Sequence, residues 1–140
     1  MKPIVILILL IVVVGCTETK TVSPEINEII TKEILDHHWV AFQKNDLEAT
    51  MEDYTEESVL ITPDVTYTGL DEIRKNFVNA FAVFPKDSSI LVLDKSVVVM
   101  DIGYILWHAK TPAFTLSYAT DTFIIQNGKI IRQSYAGVAN

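Results

Sequence analysis

Hydrophobic residues recur along this chain with two different periods, and the change of period separates helical segments from strands. Between residues 24 and 44 apolar side chains return every three or four positions, which is the spacing of one helical face. The same spacing predicts a short second helix over 47–54 and a third over 70–84, which Pro85 ends. We expect the first helix to begin at Ser23-Pro24-Glu25, because serine is a good N-cap and proline suits the first helical position.

Segments rich in β-branched and aromatic residues make up most of the remainder. A short strand over 58–62 ends at Pro63-Asp64, and another follows at 65–67. Four longer strands are predicted over 89–100, 103–110, 114–126 and 129–136. Asn127-Gly128 joins the last two as a two-residue hairpin, since both positions tolerate positive φ. Connections this short make neighbouring strands antiparallel, so the sequence predicts an α+β fold with a mainly antiparallel sheet.

The first fifteen residues have the pattern of a secretory signal peptide. Lys2 supplies a positive start, and an unbroken apolar run from Ile4 to Val14 follows. As a helix this run would reach only about 16 Å, against about 30 Å of bilayer hydrocarbon, so it is too short to span a membrane. It ends at Gly15-Cys16, and Cys16 is the only cysteine. This ending resembles a bacterial lipobox, in which the cysteine thiol is acylated and the chain is cut just before it.

Lipidation would divide the chain into a signal peptide (1–15), a polar tether (16–23) and one domain (24–140). The sequence holds 18 acidic against 11 basic residues, a formal net charge of −7, which argues against nucleic acid and against electrostatic binding to anionic lipid. Membrane attachment would therefore depend on acyl chains. We predict a lipid-anchored protein of the bacterial cell envelope. Thr17 is not the aspartate associated with inner-membrane retention, which favours the outer membrane in a Gram-negative organism.

Two local segments, within this order of elements, carry a family resemblance. They are Phe42-Gln43-Lys44-Asn45-Asp46-Leu47-Glu48 and Tyr54-Thr55-Glu56-Glu57-Ser58-Val59. Over residues 25–137 the chain resembles the nuclear transport factor 2-like superfamily, and within it the SnoaL-like and ketosteroid-isomerase-like members. The resemblance implies a cone in which a curved sheet wraps the long helix around a mostly apolar cavity. Some such proteins are isomerases or cyclases and others only bind ligands, so the fold does not name the chemistry.

The resemblance also implies a set of site residues, which this sequence keeps only in part. The proton-abstracting carboxylate of the isomerases corresponds here to Thr62, and a hydroxyl is too weak a base for that role. Asp64 is the nearest carboxylate, although Pro-Asp after a strand favours a turn. The phenolic donor on the first helix corresponds to His38, and a supporting tyrosine is present as Tyr54.

Asp121 matches the acidic donor of the isomerases. A carboxylate in an apolar strand needs a partner, so we expect a hydrogen bond from His38, Tyr54, Tyr135 or another polar group of the cavity. Two interpretations stay open. Asp121 either joins helix to sheet without chemistry or forms an acid/base pair with His38. The ligand-pocket candidates are Tyr54, Thr62, Trp107 and Tyr135.

The remaining histidines give little indication of a metal or cofactor. His37 and His38 are neighbours on a helix and point about 100° apart, so they cannot share one ion, and we predict no metal site. His108 lies in an apolar strand, where a hydrogen-bonded structural histidine is the simplest interpretation. The sequence has neither a glycine-rich phosphate loop nor a nucleotide-binding motif, and we predict no cofactor.

Two functions are therefore predicted as alternatives. The first is a lipid-anchored domain that binds a small, largely apolar molecule, and the second is an isomerase or cyclase that uses Asp121 and His38. We also predict a homodimer. Strict alternation places Phe114, Leu116 and Tyr118 on the face of their strand opposite Asp121, and such an apolar face needs a cover.

Overall fold

The computed structural model of the protein describes residues 23–140. The predicted signal peptide, Cys16 and the tether up to residue 22 lie outside the described residues. Helices α1, α2 and α3 span Glu28–Gln43, Leu47–Glu52 and Gly69–Val83. Strands β1 to β6 span Val59–Ile61, Thr66–Thr68, Ile90–Val99, Ile102–Lys110, Thr115–Gln126 and Lys129–Ala139. Within residues 23–140, the structure has no helix that is both long and apolar enough to cross a bilayer.

The six strands form one sheet in the order β2-β1-β6-β5-β4-β3. The β1–β6 pair is parallel and every other pair is antiparallel, which confirms the predicted α+β class with a mainly antiparallel sheet. The β5–β6 turn is the predicted hairpin, with φ of 52° at Asn127 and 68° at Gly128. The three helices lie on one side of this curved sheet, and the hydrophobic core fills the space between them.

The first helix begins later than predicted. Its N-cap is Asn27, whose side chain accepts hydrogen bonds from the amides of Ile29 and Ile30. Glu25 precedes it and is bound to the distant hairpin: its amide donates to Asn127 Oδ1 at 2.8 Å, and its carbonyl accepts from the Asn127 amide at 3.1 Å. These long-range bonds hold Glu25 outside the helix, so the Ser-Pro-Glu signal is overridden.

Helix α1 packs in close contact with the sheet at one position in the core. Leu35 is fully buried and packs on Gly103 of β4, where an added Cβ would stand 3.2 Å from both Leu35 methyl carbons. A side chain at position 103 would push the helix away from the sheet. The predicted second helix ends at Glu52, so Tyr54 lies beyond it and turns its ring into the core.

A β-bulge overturns the predicted facing of β5. The register shifts by one residue between Leu116 and Tyr118, which places Leu116 on the same side as Asp121. Phe114 also contacts the core, with its ring centroid 5.7 Å from that of Phe84. Of the three residues predicted on the opposite face, only Tyr118 lies there, 48% exposed.

Candidate functional site

A cavity of about 220 Å³ lies between the concave face of the sheet and helices α1 and α3. Polar side chains on its wall include His38, Thr62, Asp121 and Gln133. Most of the remaining wall is aromatic, and the rings come from Trp39, Phe42, Phe77, Phe84, Trp107, Phe123 and Tyr135. The space is therefore largely apolar, with a small number of polar groups that could orient a ligand.

Asp121 faces this cavity and is only 6% exposed. Its Oδ2 accepts from Trp107 Nε1 at 2.9 Å, and its Oδ1 accepts from Gln133 Nε2 at 2.8 Å. Asp121 is paired in register with Ile105 and Tyr135, so both donors are diagonal neighbours on the same face of the sheet. The predicted hydrogen bond from a polar group of the cavity is therefore present, but the donors are Trp107 and Gln133 rather than the His38, Tyr54 or Tyr135 named from sequence.

Burial raises the pKa of the Asp121 carboxyl above its usual value. The hydrogen bonds from Gln133 and Trp107 oppose that rise, and so does the charge of His38. Burial outweighs the three together, so Asp121 takes up a proton more readily than an exposed aspartate does.

His38 also lies on the cavity wall but does not bond to Asp121 directly. Its Nδ1 is 3.1 Å from Asp53 Oδ2, and its Nε2 is 3.3 Å from the Tyr54 hydroxyl. Tyr54 in turn donates to Gln133 Oε1. One continuous series of hydrogen bonds, hereafter the buried network, therefore joins Asp53, His38, Tyr54, Gln133 and Asp121.

Asp53 is a member of the buried network that sequence analysis missed. It lies just after α2, is 2% exposed, and bonds two neighbouring histidines: Oδ1 meets His37 Nδ1 at 2.8 Å, while Oδ2 meets His38. Its own carbonyl accepts from the Ile130 amide at 2.7 Å, which ties this turn to β6. Among residues 23–140, no set of three or more His, Cys, Asp or Glu side chains could hold a metal ion.

Gln133 was missed because β6 contains a second bulge. Ile130 faces the core, and strict alternation from it would turn Gln133 outward. The register instead shifts between the Ile124–Arg132 and Ile125–Ile130 pairs, which turns Gln133 inward. The sequence indicated the inward orientation of Gln133 only through Tyr135, a predicted pocket residue two positions further along the strand.

The other candidate residues lie in three different places. Trp107, Tyr135 and Thr62 line the cavity, although the Thr62 hydroxyl is engaged with the backbone of Val65 in the β1–β2 turn. Tyr54 lies behind the wall, where its ring meets His38 at 5.4 Å between centroids. Asp64 is exposed in the turn, as the turn interpretation predicts.

His108 lies on the convex face of the sheet and has no part in the cavity. Its Nδ1 is 2.7 Å from Asp94 Oδ2, and both side chains are substantially exposed. It is therefore a hydrogen-bonded strand histidine, in line with the simplest interpretation of its sequence context.

Neither a protein-family model nor a curated protein matches this sequence. Solved structures do match the fold. A nuclear transport factor 2-like protein of unknown function from Mesorhizobium loti aligns with a TM-score of 0.70 and 20% identity, over 83% of this chain and 97% of that one. A proposed polyketide cyclase from Sinorhizobium meliloti gives 0.65 and 20%, over 74% and 94%. A proposed ketosteroid isomerase from Kribbella flavida gives 0.69 and 10%, over 81% of each chain. At these identities the likeness is one of fold, and the chain has the nuclear transport factor 2-like fold.

Proposed function

We propose that the domain binds a small, largely apolar molecule in its cavity. The observation that carries this proposal is the size and lining of the space: about 220 Å³, lined by seven aromatic rings together with aliphatic side chains and a few polar groups. An apolar cavity of about 150 Å³ is enough for benzene, and ordinary ligand pockets begin at about 300 Å³. A ligand of about one or two rings is therefore the best match.

The residue at the position of the isomerases' catalytic base also favours binding over proton abstraction. Thr62 stands where the isomerases carry their carboxylate, and its hydroxyl both donates to and accepts from the Val65 backbone. Asp64, the nearest alternative, is exposed in the adjoining turn. A ligand in the cavity would meet Asp121, which is better placed to orient a polar group than to remove a proton from carbon unaided.

The alternative function is an isomerase or cyclase that uses Asp121 and His38 as an acid/base pair. It is favoured by one observation: both side chains line the cavity and are joined through Tyr54 and Gln133. The proposed cyclase and isomerase among the matching structures are compatible with it. On a panel of enolisable ketones, this alternative requires that Asp121→Asn lower turnover at least about a hundredfold.

The binding proposal can be tested through the cavity's own tryptophans. Trp39 and Trp107 line the space, so titration with one- and two-ring hydrocarbons should change the intrinsic fluorescence saturably. Ala80→Phe on the cavity side of α3 should fill the space and abolish the change. Val78→Phe, on the exposed side of the same helix, is the matched control and should leave binding intact. Saturable binding that survives Ala80→Phe would place the ligand elsewhere and contradict the proposal.

We further propose that the domain is held at the cell envelope by a lipid on Cys16. The support is the apolar leader that ends at the single cysteine. Cys16→Ser should abolish labelling by a clickable fatty acid and release the protein from membranes, whereas the neighbouring Thr17→Ser should change neither. Unchanged labelling of the Cys16 variant would refute lipidation.

A homodimer through the convex face of the sheet is the remaining proposal. Although Leu116 lies on the other side, Tyr118 and Val138 are paired across β5 and β6, and they are 48% and 55% exposed. Light scattering at micromolar concentration should give about twice the monomer mass, and Tyr118→Lys should halve it. Ile29→Lys on α1, where the native residue is 72% exposed, is the control. A monomeric mass for the unsubstituted protein would rule the dimer out.

A further inference from the structure

The hydrogen-bond donors of the buried network point toward a carboxylate at each of its ends. Asp53 begins the sequence of bonds, because an ionised carboxylate only accepts: the Nδ1–H of His38 must donate to it across 3.1 Å. At the other end, Asp121 accepts from Gln133 Nε2. That contact fixes the Gln133 amide, whose oxygen is left facing Tyr54.

The two middle bonds follow from this orientation. The single hydroxyl proton of Tyr54 goes to Gln133 Oε1, and burial together with the charges of Asp121 and Asp53 raises the pKa of Tyr54, so the hydroxyl keeps that proton. The Tyr54 oxygen is then left as an acceptor, and His38 Nε2 lies 3.3 Å from it. Both ring nitrogens of His38 therefore face partners inside the network, and the donors of Tyr54 and Gln133 point toward Asp121.

The orientation of these donors determines what the cavity offers at Asp121. Trp107 directs its Nε1–H at the same carboxylate, so both oxygens are held by N–H groups and keep outward lone pairs. His38 has no ring nitrogen left for a ligand. We propose that Asp121 receives a hydrogen-bond donor, a hydroxyl or an ammonium group, of a small aromatic ligand. The aromatic wall suits the ring of such a molecule and also an ammonium group.

Donors that could hold a carbonyl ligand lie away from Asp121. The Tyr135 hydroxyl is directed toward Gly137 and lies 2.6 Å from the place where a Cβ on that glycine would stand. Gly137 is two residues beyond Tyr135, the β6 residue paired with Asp121, so the hydroxyl lies away from the carboxylate. Asn76 is half-buried and Asn79 exposed on α3, so these amides lie closer to solvent than Asp121 does. A ligand with its polar group at the inner carboxylate therefore meets an acceptor there.

This inference rests on the proposed binding function, and a set of four probes separates the two. Toluene, benzaldehyde, benzyl alcohol and benzylamine share one ring and differ only in the polar group. At pH 7 the purified protein should bind benzyl alcohol or benzylamine at least tenfold more tightly than toluene and benzaldehyde. A gain for the amine alone would identify an ionic donor, and a gain for the alcohol a neutral one.

Three other outcomes overturn the inference, and only one of them also removes the binding function. If toluene binds and all four affinities agree within threefold, or if benzaldehyde is tightest, the donor proposal is wrong while the cavity function stands. If none of the four binds, both proposals fail. These measurements use the unsubstituted protein, so they do not depend on a variant that folds.

A pair of matched variants then locates the contact. Asp121→Asn presents both a donor and an acceptor and carries no charge, so the preference for the favoured probe, alcohol or amine, over the aldehyde should fall to within threefold. Asp94→Asn makes the same change on the convex face and should keep the tenfold preference. A preference that persists in Asp121→Asn would assign the contact to another group and overturn the proposal.

Discussion

One histidine–aspartate pair lies on each side of the sheet, the inner one between α1 and the end of α2 and the outer one on the strands, and the longer of the two contacts is the better protected. His38 and Asp53 lie 3.1 Å apart with side-chain exposures of 5% and 3%. His108 and Asp94 lie 2.7 Å apart with exposures of 44% and 38%. Water can replace either partner of the outer pair, whereas a member of the inner pair left alone would remain buried without a hydrogen-bond partner for the freed group. Burial, rather than distance, therefore decides how much each pair contributes.

The aspartates of the two pairs, Asp53 and Asp94, also differ in how many elements they connect. Asp53 bonds His37 as well as His38, and its carbonyl anchors the start of β6, so it organises three elements. Asp94 lies at a register shift between β3 and β4 and contacts His108 across the strand pair. The inner pair thus supports the cavity wall, whereas the outer pair lies on the exposed convex surface of the sheet.

The largest effect should come from removing the inner carboxylate. Asp53→Asn leaves the N–H groups of two histidines facing an amide, and breaking a buried pair costs about 3–5 kcal/mol of unfolding free energy. Asp94→Asn should cost at most about 1 kcal/mol. Urea unfolding of both variants measures the difference, and equal losses would contradict the ranking by burial.

Gln133 tests the same contrast with an uncharged side chain. Gln133→Leu removes the partners of Tyr54 and of Asp121 Oδ1 together, and we expect a loss of about 2–4 kcal/mol. Gln126 also donates to an aspartate, Asp101, at 2.8 Å, but it is half-buried. Gln126→Leu should therefore cost at most about 1 kcal/mol in the same unfolding assay. A Gln133 variant as stable as its control would mean that water satisfies the freed groups.

Asp121→Asn should change stability modestly at neutral pH and more visibly as a function of pH. Burial raises the pKa of Asp121 in the folded protein, so folding favours its protonated form. That contribution is fully present below the ordinary value of 3.8 and is lost as pH rises through the folded-state pKa. Because asparagine does not titrate, the unsubstituted protein should lose stability relative to the variant between about pH 4 and pH 7.

Unfolding free energies at the two pH values provide the test. At pH 7 the variant should lie within about 1–2 kcal/mol of the unsubstituted protein, since the amide keeps the shape and part of the hydrogen bonding. A difference that stays constant with pH would show that the hydrogen bonds from Trp107 and Gln133 balance burial, and one that moves the other way would show that they outweigh it. Either outcome contradicts the prediction.

Periodicity predicted the elements well because each helix and strand buries one face. The three helices, the Asn127-Gly128 hairpin and the inward facing of Asp121 all follow from local pattern or family resemblance. The start of α1 did not, because it is set by bonds between Glu25 and Asn127, 102 residues apart. A local N-cap signal cannot report a contact of that kind.

The site was predicted less completely, and for two physical reasons. One-residue bulges invert which side chains face inward, and this concealed Gln133 and misplaced Leu116. Asp53 acquires its role only when the turn after α2 brings it against His37 and His38 on α1. Neither a bulge nor a contact between two helices leaves a periodic signal.

The smallest effect should come from the outer histidine. His108→Gln should change the unfolding free energy by at most about 0.5 kcal/mol, and 1 M salt should remove even that difference because exposed charges are screened. The measurement belongs at a protein concentration where light scattering shows monomers. A loss above about 1 kcal/mol that appears only at dimer-forming concentrations would mean that the partner covers this face and turns the outer pair into a buried one. In that case the difference in burial between the inner and outer pairs would hold for the monomer but not for the dimer.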